Sequence, residues 1–188
     1  DGHNMWYDKN GNLTKVYSEE DAVFTGKQRY APWSGGFGSV LNWKGITVSA
    51  DFAFMLGQYM LNNERWFTEN HQFANKNNQT VAMLTMWQKP GDITNISSPE
   101  SPMQFDTHLL ENASFMRLKN LTVGYTLPLK TKDVEKVRVY FSGENLWYWS
   151  PMKEWTDVVD PEVATSSAYG DCSYPYSKIF SFGVNITF

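Results

Sequence analysis

Residues 178–188 read KIFSFGVNITF, and this stretch decides the fold class. Phe180, Phe182, Val184, Ile186 and Phe188 fall on one face of an extended chain; Ser181, Gly183, Asn185 and Thr187 fall on the other. An unbroken period of two is the signature of a strand with one apolar and one polar face. The run from Ile179 to Phe188 is 10 residues, within the ~9–11 that a tilted membrane-spanning strand requires.

The same pattern recurs upstream. VEKVRVYFSGENLWYW sets Val137, Val139 and Phe141 against Arg138, Tyr140 and Ser142, then enters the aromatic cluster Trp147, Tyr148, Trp149. SFMRLKNLTVGYTLP sets Leu121, Val123, Tyr125 and Leu127 against Asn120, Thr122, Gly124 and Thr126, while Met116 and Leu118 fit the opposite frame. A bulge near Lys119, or an end outside the lipid zone, accounts for that switch. ITVSADFAFMLG alternates from Ile46 to Leu56, and FGSVLNW before it offers Phe37, Leu41 and Trp43 in a less clean alternation. The expected class is therefore all-β: about five antiparallel strands joined by alternating connections. Lys44-Gly45 makes a tight hairpin and PLKTKD a short turn, with Pro128 barring further pairing. Residues 58–112 and 149–177 are long loops. The first long loop has helical character around Asn63–His71 and Thr80–Trp87, and residues 5–17 read as a small hairpin turning at Asn10-Gly11.

Composition narrows the class. The 188 residues carry 16 basic and 20 acidic side chains, a formal net charge of −4, so no cationic surplus exists to neutralise nucleic-acid phosphates. The only cysteine, Cys172, excludes an internal disulfide and leaves too few thiolates for a structural zinc site. No apolar run suits a membrane helix, and DGHNMWYDKNGN lacks the regions of a signal peptide. A β-barrel is untouched by those exclusions. Eight Trp, 10 Tyr and 12 Phe beside a mean hydropathy of −0.47 fit strands wet on one face only. Patterning alone serves equally a soluble β-sandwich with a carbohydrate-binding platform and a transmembrane barrel. The alternation of short and long connections favours the barrel, with short turns periplasmic and long loops outside.

Catalytic chemistry finds no constellation. His3, His71 and His108 are scattered, and no cofactor or metal is expected. Asp160 and Glu162 could be posed as a glycosidase pair, but a polar turn about Pro161 is the plainer reading. Asp8, Asn10, Asn12, Thr14 and Glu19 have calcium-loop spacing with Leu13 where glycine belongs, so the hairpin wins. Six Asn-x-Ser/Thr triplets read as compositional. The binding candidates are loop aromatics, Trp66, Trp87, Trp155, Tyr169, Tyr174 and Tyr176, which either touch a ligand or a partner or fill the loops' own cores. Asp51, Arg138, Tyr140 and Glu144 are weaker candidates, expected to face a barrel lumen.

In chain order, WSGGFG (33–38), KGITVSADFAFMLG, MLTMWQKPGDITNI, NASFMRLKNLTVGYTLP, VRVYFSGENLWYW, Asp160-Pro161-Glu162 and YPYSKIFSFGVNITF resemble the C-terminal end of a SusC/RagA-type TonB-dependent outer-membrane receptor. The resemblance implies a barrel of about 22 strands around a plug, to which this chain gives an outer loop with a hairpin (1–36), a hairpin (37–57), an outer loop (58–112), a second hairpin (113–148), an outer loop (149–177) and a terminal strand (178–188) pairing with the barrel's first strand. It further implies a bacterial outer-membrane location with the C-terminus periplasmic and import of an oligosaccharide or peptide. A SusD-like surface lipoprotein would serve as lid, and TonB would engage the missing N-terminal part.

Overall fold

The computed structural model describes residues 1–101, 103–129, 131, 133–154, 159–164 and 174–188. In chain order the strands are β1 (Trp6–Tyr7), β2 (Leu13–Thr14), β3 (Trp33–Trp43), β4 (Ile46–Leu56), β5 (Tyr59–Leu61), β6 (Leu110–Asn112), β7 (Phe115–Leu127), β8 (Lys136–Trp149) and β9 (Ile179–Thr187). Five of them form one antiparallel sheet in the order β3-β4-β7-β8-β9. No helix of the described residues is long and apolar enough to cross a membrane, which says nothing of strands.

Local causes set the β3–β4 register and the end of β7. Lys44 and Gly45 take φ of 47° and 84°, the double positive φ of the two-residue turn whose twist matches its strands, and the turn fixes Trp43 opposite Ile46. That register carries β3 back to Trp33, opposite Leu56, so the strand begins before the expected Phe37. β7 ends at Leu127, where Pro128 removes a ladder donor.

The bulge near Lys119 is present. Asp51 pairs with Asn120 and Phe52 with Leu118, so Lys119 is the extra residue. On the other side β8 steps from Glu144 to Trp147 against the same segment, with Asn145 at φ 53°. The double irregularity restores alternation: Phe52, Leu118 and Trp147 share a row, as do Phe54, Met116 and Trp149. One face thus stays apolar from Leu41 and Trp43 through Val48, Val123 and Phe141 to Phe182. Phe141 lies 5.1 Å from Phe182, and Phe37 stacks on Phe52 at 5.0 Å. From the Trp43–Ile46 row to the Trp33–Leu56 row, β4 rises ~34 Å, or ~25 Å once tilted, the height of a barrel's apolar band.

A sandwich needs a second sheet against that face. Among the described residues nothing lies there: Phe182 is 81% exposed and Leu41 63%. The core sits instead beyond the end of the sheet that carries the long connections. There Met60, Ala113, Met152 and Val159 form a buried cluster, and Leu109 and Phe115 are buried too. This cap joins β5–β6, the β1–β2 hairpin and the loop between β4 and β7. The hairpin turns through Gly11, and the Asp8 carboxylate accepts from the backbone of Asn10 and Asn12. Those bonds hold the Asp8 carboxyl below its ordinary value and occupy it as a turn former. The expected helix around Asn63–His71 is split in two: α1 (Asn63–Thr68) starts on an Asn62 cap, and a new 3₁₀ turn starts on Asn70, whose side chain accepts from Gln72. The segment Thr80–Trp87 makes a 3₁₀ turn over Val81–Thr85 without a side-chain cap bond, and Met86 returns to an extended ψ. A second helix, the four-residue α2 (Pro161–Ala164), lies in the last long loop.

Candidate functional site

The polar face of the sheet carries Asp51, Arg138, Tyr140 and Glu144, as expected from alternation, alongside Thr122 and Ser142, whose hydroxyls bond at 3.1 Å. Three of the four lie against glycines of neighbouring strands. A side chain at Gly38 would collide with the Asp51 carboxylate, at Gly124 with the Arg138 guanidinium and at Gly183 with the Tyr140 ring. Glycine permits these close approaches, and the side chains lie along the wall.

The loop aromatics divide. Trp66 meets Phe73 and Phe105 edge-on at 5.8 and 5.5 Å, which makes it part of the cap's own packing. Trp87 lies over Gly2 and fastens the first residues. Tyr174 is 86% exposed and Tyr176 48%. Trp155 and Tyr169 fall outside the described residues, as does Cys172.

Tyr176 belongs to a cluster that reading by residue type did not assemble. Arg117, on the polar face of β7 and 1% exposed, bonds Asp160 at 2.5 Å through Nη2 and meets Glu162 at 2.7 Å through Nε. Its guanidinium lies over two rings, 4.8 Å from the centroid of Tyr148 and 5.3 Å from that of Tyr176. Lys119, turned by the bulge, reaches Glu162 at 2.5 Å and stands 4.8 Å over Tyr176. The Asp160-Pro161-Glu162 turn is therefore charge-paired, and both carboxylates are committed to structural cations rather than set across a bond. Its signal in sequence was the odd frame at Lys119 together with two acids flanking a proline. Their meeting is long-range and invisible in either segment alone.

A second charged node lies in the cap. Arg65 bonds Glu69 at 2.8 Å and Glu111 at 2.9 Å, all three buried, and Nη2 reaches His108 Nε2 at 3.2 Å. An arginine donor there makes Nε2 an acceptor, so the imidazole is neutral with its proton on Nδ1. Partial desolvation and the Arg65 charge hold His108 below the ordinary value; burial pushes Glu111 up, against its bonds from Arg65 and Asn62. The node borders a polar cavity of about 300 Å³ lined by Trp6, Glu69, His71, Asp106 and His108 among others. Trp6 donates its indole N–H to Asp106 at 2.6 Å. No group of three or more potential metal ligands occurs among the described residues.

No family model matches the chain. TonB-dependent receptor P26 of Formosa agariphila is 25% identical over 207 residues, covering 100% of this chain and 20% of the relative. TonB-dependent receptor P3 of the same organism is 26% identical over 163 residues, covering 81% and 16%. Solved structures of the RagAB peptide importer in its closed-closed state and of the RagAB peptide transporter superpose with TM-scores of 0.83 and 0.84 at 35% identity. Both matches cover 100% of this chain and 21% of the structure's chain. The chain thus spans about a fifth of the length of the relatives it matches. An antiparallel sheet apolar on one face and polar on the other, matched along its whole length to the barrel of RagA, supports reading the chain as part of a SusC/RagA-type TonB-dependent receptor.

Proposed function

We propose that this segment forms barrel wall and outer-surface cap of an outer-membrane importer of oligosaccharides or peptides. The observation that carries this reading is the continuous apolar face, uncovered from β3 to β9, backed by a polar face and closed at one end only by a folded cap. In lipid, the apolar face is satisfied and the polar face borders water. The open edges of β3 and β9 then pair with strands of the remaining barrel, since unpaired edges are untenable in hydrocarbon. The short turns at Lys44-Gly45 and after Leu127 lie on the periplasmic side with Phe188, and Trp33, Trp147 and Trp149 sit at the outer interface as a girdle. A SusD-like lipoprotein covers the cap from outside. TonB engages a part of the receptor beyond these residues, and the segment performs no bond chemistry of its own. Tyr174, Tyr176, Trp155 and Tyr169 are its ligand- or lid-facing aromatics, while Trp66 and Trp87 serve the cap.

The test is isolation of the native polypeptide from outer membranes in detergent, with mass measurement of it and of whatever co-purifies. The reading expects a polypeptide about five times this length accompanied by a lipoprotein. It also expects that deleting the gene abolishes growth on one class of oligosaccharide or peptide. A monodisperse 21.6 kDa species, soluble without detergent, refutes it.

A further inference from the structure

We propose that the Arg117–Asp160 pair is a clasp that positions Tyr176 as a stacking platform for a ring-bearing ligand on the polar side of the wall. The proposal rests on the importer reading. One carboxylate gathers three pieces of chain. Asp160 Oδ1 accepts from Arg117 of β7 and from the backbone N–H of Glu162 at 3.0 Å; Oδ2 accepts the backbone N–H of Tyr176 at 3.4 Å. The outgoing arm of the last loop, its returning arm and the wall therefore meet at a single side chain. Val159 and Pro161, on either side of it, are buried, Val159 among Met60, Ala113 and Met152. The returning arm is tied again one residue on, where the Asn145 amide at the β8 irregularity donates to the Ser177 carbonyl at 3.3 Å.

This arrangement fixes where Tyr176 can be. Its backbone is held by Asp160, and its ring is approached by Arg117 and by Lys119, yet the residue keeps about half its surface open. Tyr148, the other ring against Arg117, is pinned further: Lys153 lies 3.8 Å over it and donates to its carbonyl. Tyr176 is thus the partner in the cluster with surface to spare. A phenol ring whose backbone is bonded to Asp160, on a residue about half exposed, offers contact area at low entropic cost. The chemistry it suits is a ligand with a flat apolar ring face, which a pyranose and an aromatic side chain both possess. Arg117 and Asp160 touch no ligand in this scheme and act as positioning residues.

The experiment uses the full receptor with its co-purifying lipoprotein, and two probes: a neutral gluco-oligosaccharide and a tyrosine-containing oligopeptide. For the probe that wild type binds, Tyr176→Ala is expected to weaken affinity by roughly tenfold, the size of a stacking contact, whereas Tyr176→Phe, which keeps the ring, retains it. Asp160→Asn is expected to weaken affinity about as much. The double variant Asp160→Asn/Tyr176→Ala should be no worse than either alone, since both remove the same contact. Full affinity in Tyr176→Ala, or additive losses in the double variant, overturns the proposal. If Asp160→Asn fails to reach the membrane, the Ala-against-Phe comparison at Tyr176 still decides. If wild type binds neither probe and no lipoprotein accompanies it, the importer reading fails instead, and the two failures are distinguishable.

Discussion

The wall and the cap of this segment are stabilised in opposite ways. Along β3 every residue is exposed, and β9 is nearly so; the sheet has pairing and same-face contacts, and its buried side chains Phe115 and Arg117 lie at the end of β7 that meets the cap. The cap, by contrast, buries Leu109, Met152, Asn62 and Asn70 almost completely and encloses the Arg65–Glu69–Glu111 triad. A barrel wall takes its apolar environment from outside the chain, whereas a loop cap in water must build its own and pair the charges it buries. Arg117 is where the two meet, one end on β7 and the other among the loop carboxylates. Replacing it by Met removes the cation and leaves Asp160 buried without it. Loss of one partner of a buried pair costs about 3–5 kcal/mol. The expected outcome in the assembled receptor is lost hydrogen-exchange protection in residues 159–163 and at Tyr176 while β8 and β9 keep theirs. Equal loss in both would mean that wall and cap are one cooperative unit.

A sharper division of the wall itself comes from two neighbours. Phe182 and Ser181 are adjacent on β9 and face opposite ways, opposite Phe141 and Ser142 respectively. With the apolar face in lipid, Phe182→Arg should destabilise the barrel by ~2–4 kcal/mol, and Ser181→Arg by a small fraction of that, because lumen-facing changes are tolerated. Urea titration of the receptor in lipid or detergent, following intrinsic fluorescence, reads the difference. Similar losses at both positions would deny the facing assigned to β9.

The two regions also differ in how much of them is legible in sequence. β9, β8 and β4 declare themselves because each residue's face is set by its parity, a property of a few neighbours. The switch of frame between Leu118 and Asn120 is legible as an irregularity, but its purpose is not: the bulge at Lys119 keeps Leu118 and Met116 apolar-side while delivering Arg117 and Lys119 to Asp160 and Glu162, 43 residues away in each bonded pair. The cap resists for the same reason. Trp66 looks like a ligand contact until Phe73 and Phe105 are folded against it, and Arg65 gives no hint of Glu111, 46 residues on. Local periodicity encodes faces, and it is silent about which distant charges a loop brings together.

The smallest effect compares the two regions at their turns. Gly45 in the wall and Gly11 in the cap hairpin have nearly the same φ, 84° and 81°, so alanine pays a similar backbone penalty at each, about 1–2 kcal/mol. Their surroundings differ. A Cβ at Gly11 meets nothing within 4 Å, while one at Gly45 comes to 3.0 Å from the Thr126 carbonyl oxygen and 3.4 Å from the Tyr125 ring. Thr126 also donates its N–H to the Gly45 carbonyl at 2.8 Å, so β7 cannot withdraw without losing that bond. Gly45→Ala should therefore cost more than Gly11→Ala, by up to ~1 kcal/mol for the crowding. Paired denaturation curves of the two single variants give that excess directly. Equal costs would mean that the wall's turn yields as freely as the cap's, and that the tight fit of β7 against the Lys44-Gly45 turn contributes nothing to holding the register of the sheet.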